Sequence, residues 1–238
     1  MAKYTLHNGD CYEYLKSLLA VDAIVTDPPY GINANKMTLG SGKKQFQRGD
    51  EWDIERPDIK PFLSVCKYVC VWGGNYFTDV LPPTNRWLIW HKKNDGLSFS
   101  EAELAWTNYS KNVRVYHRHW SGEQKEHPTQ KPIHVMSWVL QQLPQEVKVV
   151  FDPFMGSGTT GVACMQMGLD FIGCEINPDY YAIAERRISE AASQGVLLAE
   201  TRLTPPTPDG GDSPRQKALF SPEADSAIGD EPTPAPRR

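Results

Sequence analysis

The sequence has no C-x-x-C pair, and its five cysteines are an odd number. That excludes neither thiol chemistry nor burial, but it fits neither a disulfide framework nor a zinc ribbon, so no metal is expected and a reducing cytoplasm is the expected setting. No uninterrupted apolar run approaches the length of a membrane span, and the opening "MAKYTLHNGD" lacks signal-peptide character. G-x-G-x-x-G and G-K-[ST] are both missing, which argues against a dinucleotide or a triphosphate. No internal repeat is visible. An excess of positive charge is also lacking: the net charge is −4 over 238 residues.

The charge is, however, unevenly spread. Residues 33–49, "NANKMTLGSGKKQFQRG", hold Lys36, Lys43, Lys44 and Arg48 without one acid, and residues 109–122 hold Lys111, Arg114 and Arg118 likewise. Both stretches read as cationic loops of the kind that contact phosphates, or as solvated loops if charge alone is weighed.

Short apolar runs bounded by turn signals occur at 4–7, 23–26, 68–72, 86–91, 103–107, 147–151 and 170–176. Helical patterns lie at 12–19, 58–66, 75–81, 132–143, 158–167 and 179–193. The alternation predicts an α/β sheet with helices on both faces. From Thr204 the text turns proline-rich and poor in β-branched residues. We therefore expect a catalytic domain over 1–198 and a disordered tail over 199–238.

Two strand endings carry the chemistry. In "AIVTDPPYGI", the apolar run Ala23 to Thr26 is stopped by prolines that cannot donate to a ladder, which puts Asp27 at a strand's carboxyl end. A carboxylate, a stiffened carbonyl and the Tyr30 ring arrive together where open α/β sheets bind ligands. Read alone, this is equally well a strand-terminating turn. In "VVFDPFMGSGTTG", Asp152 and Pro153 close another strand, and Gly156, Ser157 and Gly158 make a tight turn into a helix beginning near Thr159. Such turns let the backbone approach a ligand closely. About twenty residues on, "FIGCEIN" ends a strand in Glu175, suited to accept hydrogen bonds from ribose hydroxyls, and points to an adenosine-containing cofactor.

Together, D-P-P-Y and D-P-F-x-G-S-G resemble the S-adenosylmethionine-dependent DNA amino-methyltransferases. The order, with D-P-P-Y first, matches their beta class. "NGDCYEYL", "VWGGNYF", "RWLIWHKKN", "HPTQKP" and "CEINPDYYAIAERRI" extend the resemblance over about residues 4–193. It implies a Rossmann-like methyltransferase fold with a seven-stranded, mostly parallel sheet and one reversed strand. It also implies S-adenosylmethionine as cofactor, in a pocket built from Asp10, Asp27, Thr129, Lys131, Asp152, Phe154, Gly156, Ser157, Gly158, Thr159, Glu175 and Ile176. Within it Asp10 would contact adenine, Glu175 the ribose, and Thr129 with Lys131 would pack over the methionine moiety. Double-stranded DNA is the implied partner, and family members often dimerise.

A base's exocyclic amine is a poor nucleophile because its lone pair is delocalised into the ring. Asp27 can accept one amino hydrogen and the Pro28 carbonyl the other, while Pro29 stiffens the turn and Tyr30 stacks on a base flipped out of the duplex. Within the family an Asp in first position suggests adenine N6, with cytosine N4 and a catalytically inactive DNA-binding relative as alternatives. Methylation at cytosine carbon is disfavoured, since no cysteine follows a proline. A protein glutamine methyltransferase would have its glycine-rich motif first and Asn for Asp. Between Trp106 and His127 only twenty residues remain, too few for a separate specificity domain. In the tail, Gln216, Leu219 and Phe220 have the spacing of bacterial sliding-clamp ligands. A phage or bacterial setting, with or without a restriction partner, suits all of this.

Overall fold

The strands at the centre of the sheet, 23–26, 68–72 and 149–152, are nearly continuous apolar runs because both faces of the sheet are covered there. In the computed structural model, residues 2–32, 53–94, 100–109, 112–119 and 130–203 are described. Chain order is β1 (Tyr4–Asn8), α1 (Cys11–Leu15), β2 (Ala23–Thr26), β3 (Tyr68–Trp72), β4 (Trp87–His91), β5 (Ala102–Thr107), β6 (Arg114–His117), α2 (Ile133–Gln141), β7 (Val149–Asp152), α3 (Thr159–Met167), β8 (Asp170–Glu175) and α4 (Pro178–Leu203). The chain divides into Met1–Leu203 and Thr204–Arg238, and every element named belongs to the first unit.

Side-chain alternation sorts the strands into two cores. Ala23 and Val25 of β2, Cys70 and Trp72 of β3 and Ala105 of β5 face α2, α3 and α4. Ile24, Val69, Val71 and Trp106 point the other way, onto α1 and the 3-10 turn Lys60–Ser64 through Cys11 and Phe62. Slipping any of these strands by one residue would exchange its two faces.

The sheet order is β1-β8-β7-β2-β3-β5-β4-β6. Only β5 runs against its neighbours among the described residues, pairing antiparallel with both β3 and β4. The single reversed strand agrees with expectation, but the sheet has eight strands rather than seven. The extra one is β6, inside the stretch read as a cationic loop. Its four residues "RVYH" lie at the sheet's edge and are mostly exposed, so no buried alternation marked them as a strand. Two expected helices are only 3-10 turns, Lys60–Ser64 and Gly74–Tyr76. Pro61 stands in the first, and the left-handed Gly73 with Gly74 opens the second. In compensation, α4 runs past residue 193 to Leu203. No helix among the described residues is long and apolar enough to cross a membrane.

Candidate active site

Strand order reverses between β2 and β7, which pair parallel through Ala23 with Val150 and Ile24 with Phe151. Beyond that point the chain builds outward on both sides, so the loops leaving the two carboxyl ends diverge and open a crevice. Asp27 and Asp152 stand at its lip. Thr26 Oγ1 donates to Asp152 Oδ1 at 2.8 Å, tying the two strand ends together. Asp152 also accepts from Thr160 Oγ1 at 2.7 Å and from the Phe154 amide at 3.1 Å. Burial pushes its carboxyl up to about 7 against those hydrogen bonds.

A cavity of about 620 Å³ extends from this lip along the carboxyl ends of β7, β8 and β1. At its far end β1 pairs with β8 through Asn8 and Glu175, which brings Asp10 and Glu175 side by side although 165 residues separate them. Asp10 caps α1, accepting from the Tyr12 amide at 2.7 Å and the Glu13 amide at 3.3 Å. Glu175 accepts from the Gly156 amide at 3.0 Å and the Asn177 amide at 2.8 Å, and burial raises its pKa. The turn after β7 is braced from α4: Arg187 Nη1 donates to the Ser157 carbonyl at 2.6 Å and to Ser157 Oγ at 3.0 Å.

Asp27 is gripped on both oxygens. Tyr30 donates its hydroxyl to Oδ1 at 2.5 Å and Lys131 its ammonium to Oδ2 at 2.5 Å. Lys131, 7% exposed, also lies 3.1 Å from Glu103 on β5 and over the Trp72 ring. Glu103 in turn pairs with Lys92 at 2.8 Å. Burial drives the lysine toward its neutral form, and Asp27 with Glu103 more than reverses this, so its pKa is raised. Burial likewise works against the Glu103 charge, yet the two lysines bring its carboxyl down to about 2.

The backbone of the Asp27 loop is anchored separately. Buried Asp53 accepts from the Tyr30 amide at 2.7 Å and the Gly31 amide at 2.8 Å. The Tyr30 ring stacks on Tyr76 at 4.8 Å, and it reaches that place only because residue 73 is glycine: a Cβ there would lie 2.1 Å from Tyr30 Cε1.

Of the pocket residues expected from sequence, Asp10, Asp27, Lys131, Asp152, Phe154, Gly156, Ser157, Thr159, Glu175 and Ile176 line one cavity, together with Pro29. Gly158 does not line it. A Cβ on Gly158, at φ 78°, would strike Ala184 of α4 at 2.9 Å, so this glycine serves helix packing instead. Pro28 is buried behind Pro29. Thr129, Lys36, Lys43, Lys44, Arg48 and Lys111 lie outside the described residues, as do Gln216, Leu219 and Phe220. Arg114 is exposed on β6, and Arg118 follows it at the same sheet edge as Asp27, four strands away, or roughly 19 Å. Sequence reasoning missed Asp53, Glu103, Thr160 and Arg187. An acid interrupting the apolar run "ELAWT" was the one visible sign of Glu103.

Comparison with known proteins agrees with this geometry. Residues 82–186 match a family model described as DNA methylase. The type II methyltransferase M2.MboI of Moraxella bovis is 23% identical over 79% of this chain and 88% of its own length. The DNA adenine methyltransferase YhdJ of Escherichia coli is 37% identical over 50% of this chain and 40% of its own length. Among solved structures, the complex of M1.HpyAVI with S-adenosylmethionine superposes with a TM-score of 0.56 at 26% identity, over 78% of this chain and 98% of that one. The cavity suits that cofactor: its volume is right for a small-molecule site, and the Asp10 and Glu175 carboxylates at one end are suited to hydroxyl and amino donors of an adenosine. Sheet order, cavity and matches converge: over residues 82–186 the chain is similar to the DNA methylases, and over 78% of its length to a protein solved with S-adenosylmethionine, which supports a DNA methyltransferase.

Proposed function

We propose that this DNA methyltransferase acts on the N6 amine of adenine in duplex DNA. The observation that carries this reading is the Asp27 carboxylate, held at the mouth of the cofactor cavity by Tyr30 and Lys131. A carboxylate has about four lone-pair positions, so Asp27 keeps acceptor capacity for an amino hydrogen after these two donors. The Pro28 carbonyl takes the second hydrogen, and the amine nitrogen is drawn toward tetrahedral geometry. Bound S-adenosylmethionine would supply a methyl group activated by its positive sulfur: the nitrogen–carbon bond would form as the carbon–sulfur bond breaks with its pair left on sulfur, and the amine would shed one proton to Asp27 or to water. The chain's own work is chiefly positioning. A flipped base stacking on Tyr30 would extend the ring pair Tyr30 and Tyr76 already present.

In this reading Asp10 and Glu175 hold the adenosine end, while Asp152, Phe154 and the amides of the Gly156 turn shape the methionine end. Lys131 belongs both to this pocket and to the Asp27 grip. Arg118 together with Lys36, Lys43, Lys44 and Arg48 meets phosphates. The catalytic domain, expected to end at 198, runs through α4 to Leu203 in this reading, and the tail that follows would tether the protein by binding a sliding clamp through Gln216, Leu219 and Phe220. A homodimer in a bacterial or phage cytoplasm, with its five thiols free, fits the family. Adenine is favoured over cytosine by the first-position Asp and by the relative named an adenine methyltransferase.

Duplex DNA methylated with isotopically labelled S-adenosylmethionine, digested to nucleosides and separated by mass, should carry its label in N6-methyl-2′-deoxyadenosine. Label in N4-methyl-2′-deoxycytidine would overturn the choice of base. A folded, cofactor-binding protein that labels no base would overturn the enzymatic reading and leave an inactive DNA-binding relative.

A further inference from the structure

Glu103 is the least expected member of the polar cluster behind Asp27. Its strand β5 faces a hydrophobic core at Ala105, and a lone acid there would be costly to bury. It is matched instead by two lysines, Lys131 at 3.1 Å and Lys92 at 2.8 Å. The sequence of contacts runs Asp27, Lys131, Glu103, Lys92, alternating in sign and summing to zero. Lysine is a compact charge on a four-carbon stem with three rotatable donors, so one carboxylate alone would not fix where its nitrogen sits. Glu103 on one side, Asp27 on the other and the Trp72 ring beneath at 4.8 Å define that place.

We infer that Glu103 is a positioning residue for methyl transfer: it holds the Lys131 ammonium so that Lys131 in turn aims the Asp27 carboxylate at the target amine. This rests on the reading of Asp27 given above. The titratable groups around Lys131 are Asp27 and Tyr30 from the loop after β2, Cys70 from β3 and Glu103 from β5, with Lys92 of the segment after β4 acting through Glu103. With Glu103 ionised, Lys131 stays charged through neutral pH and loses its proton only far on the alkaline side. With Glu103 neutralised, burial is opposed by Asp27 alone, and the ammonium gives up its proton at lower pH.

The test pairs Glu103→Gln with Glu103→Asp in the full-length protein. In Glu103→Gln, kcat for tritiated methyl transfer to duplex DNA should fall roughly ten- to a hundredfold through misaimed geometry, with cofactor affinity by calorimetry unchanged. Its alkaline limb should move to lower pH, and Glu103→Asp should recover part of both losses. A wild-type limb in Glu103→Gln, or a loss of kcat that Glu103→Asp shares in full, would reduce Glu103 to a packing role and overturn the inference. So would an equal loss of cofactor affinity. If Glu103→Gln does not fold, Glu103→Asp carries the test, because its retracted carboxylate should still lower the limb, and an unmoved limb overturns the inference. Titration of Lys131 by nitrogen NMR, on protein without DNA, separates the two readings. A wild-type protein that methylates nothing fails the functional reading, whereas an unshifted Lys131 titration in Glu103→Gln fails this one.

Discussion

Before any base arrives, Asp27 has both oxygens engaged by donors from its own chain, Tyr30 and Lys131. Its substitution is therefore expected to strike turnover rather than cofactor binding. Asp27→Ala should lower methyl transfer by roughly 10²–10⁴-fold while calorimetry shows unchanged affinity for S-adenosylmethionine. Lost affinity in a folded variant would move Asp27 out of the base-binding role. Asp152 behaves differently, because its oxygens are spent on Thr26, Thr160 and the Phe154 amide. Burial carries its carboxyl from 3.8 to about 7. Between those values the folded chain holds a proton that the unfolded chain has released. Stability at this group therefore falls as pH rises from about 4 to about 7 and levels off above, by up to about 1.4 kcal/mol per pH unit. Urea unfolding at pH 5 and pH 7.5 should show a smaller difference in Asp152→Asn than in wild type. An equal difference would mean that Asp152 titrates normally. The acids at strand ends were legible in the sequence because a proline or a turn follows each one directly. Asp53, Glu103 and Arg187 were not, because partners of theirs lie 22, 28 and 30 residues away in the chain.

At the scale of elements, the turn leaving β3 matters more than its length suggests. Gly73 takes φ 62° and leaves the space that the Tyr30 ring fills. Gly73→Ala should cost ~1–2 kcal/mol for the left-handed backbone. It should also push Tyr30 off Asp27, so that methyl transfer falls further than stability would explain. Crystallography of the variant with Tyr30 unmoved, or full activity in the variant, would contradict this. Element type followed from period and punctuation for seven strands and for α1, α2, α3 and α4. The miss at β6 has a physical cause: an edge strand that buries little gives no alternation to read.

Across the whole molecule, charge is the open functional variable. The formal charge is −4, yet the segments proposed to meet DNA carry their cations without acids. Replacing Lys43, Lys44 and Arg48 together with Ala should weaken duplex binding and reduce the slope of log affinity against log salt by about 3, if each meets one phosphate. A slope equal to wild type would leave these residues as a solvated loop. The sequence by itself determined the α/β class and the two acid-bearing strand ends, because each is written in local pattern: short apolar runs, prolines that stop a ladder, glycines at a tight turn; the reversed strand and S-adenosylmethionine followed from the family resemblance that those motifs carry. Only the tertiary structure decided that Asp10 adjoins Glu175, that Gly158 serves α4 rather than the cavity, and that Lys131 turns to Asp27 with Glu103 behind it. These depend on which strands become neighbours and on how buried charges find partners, and no local pattern carries either.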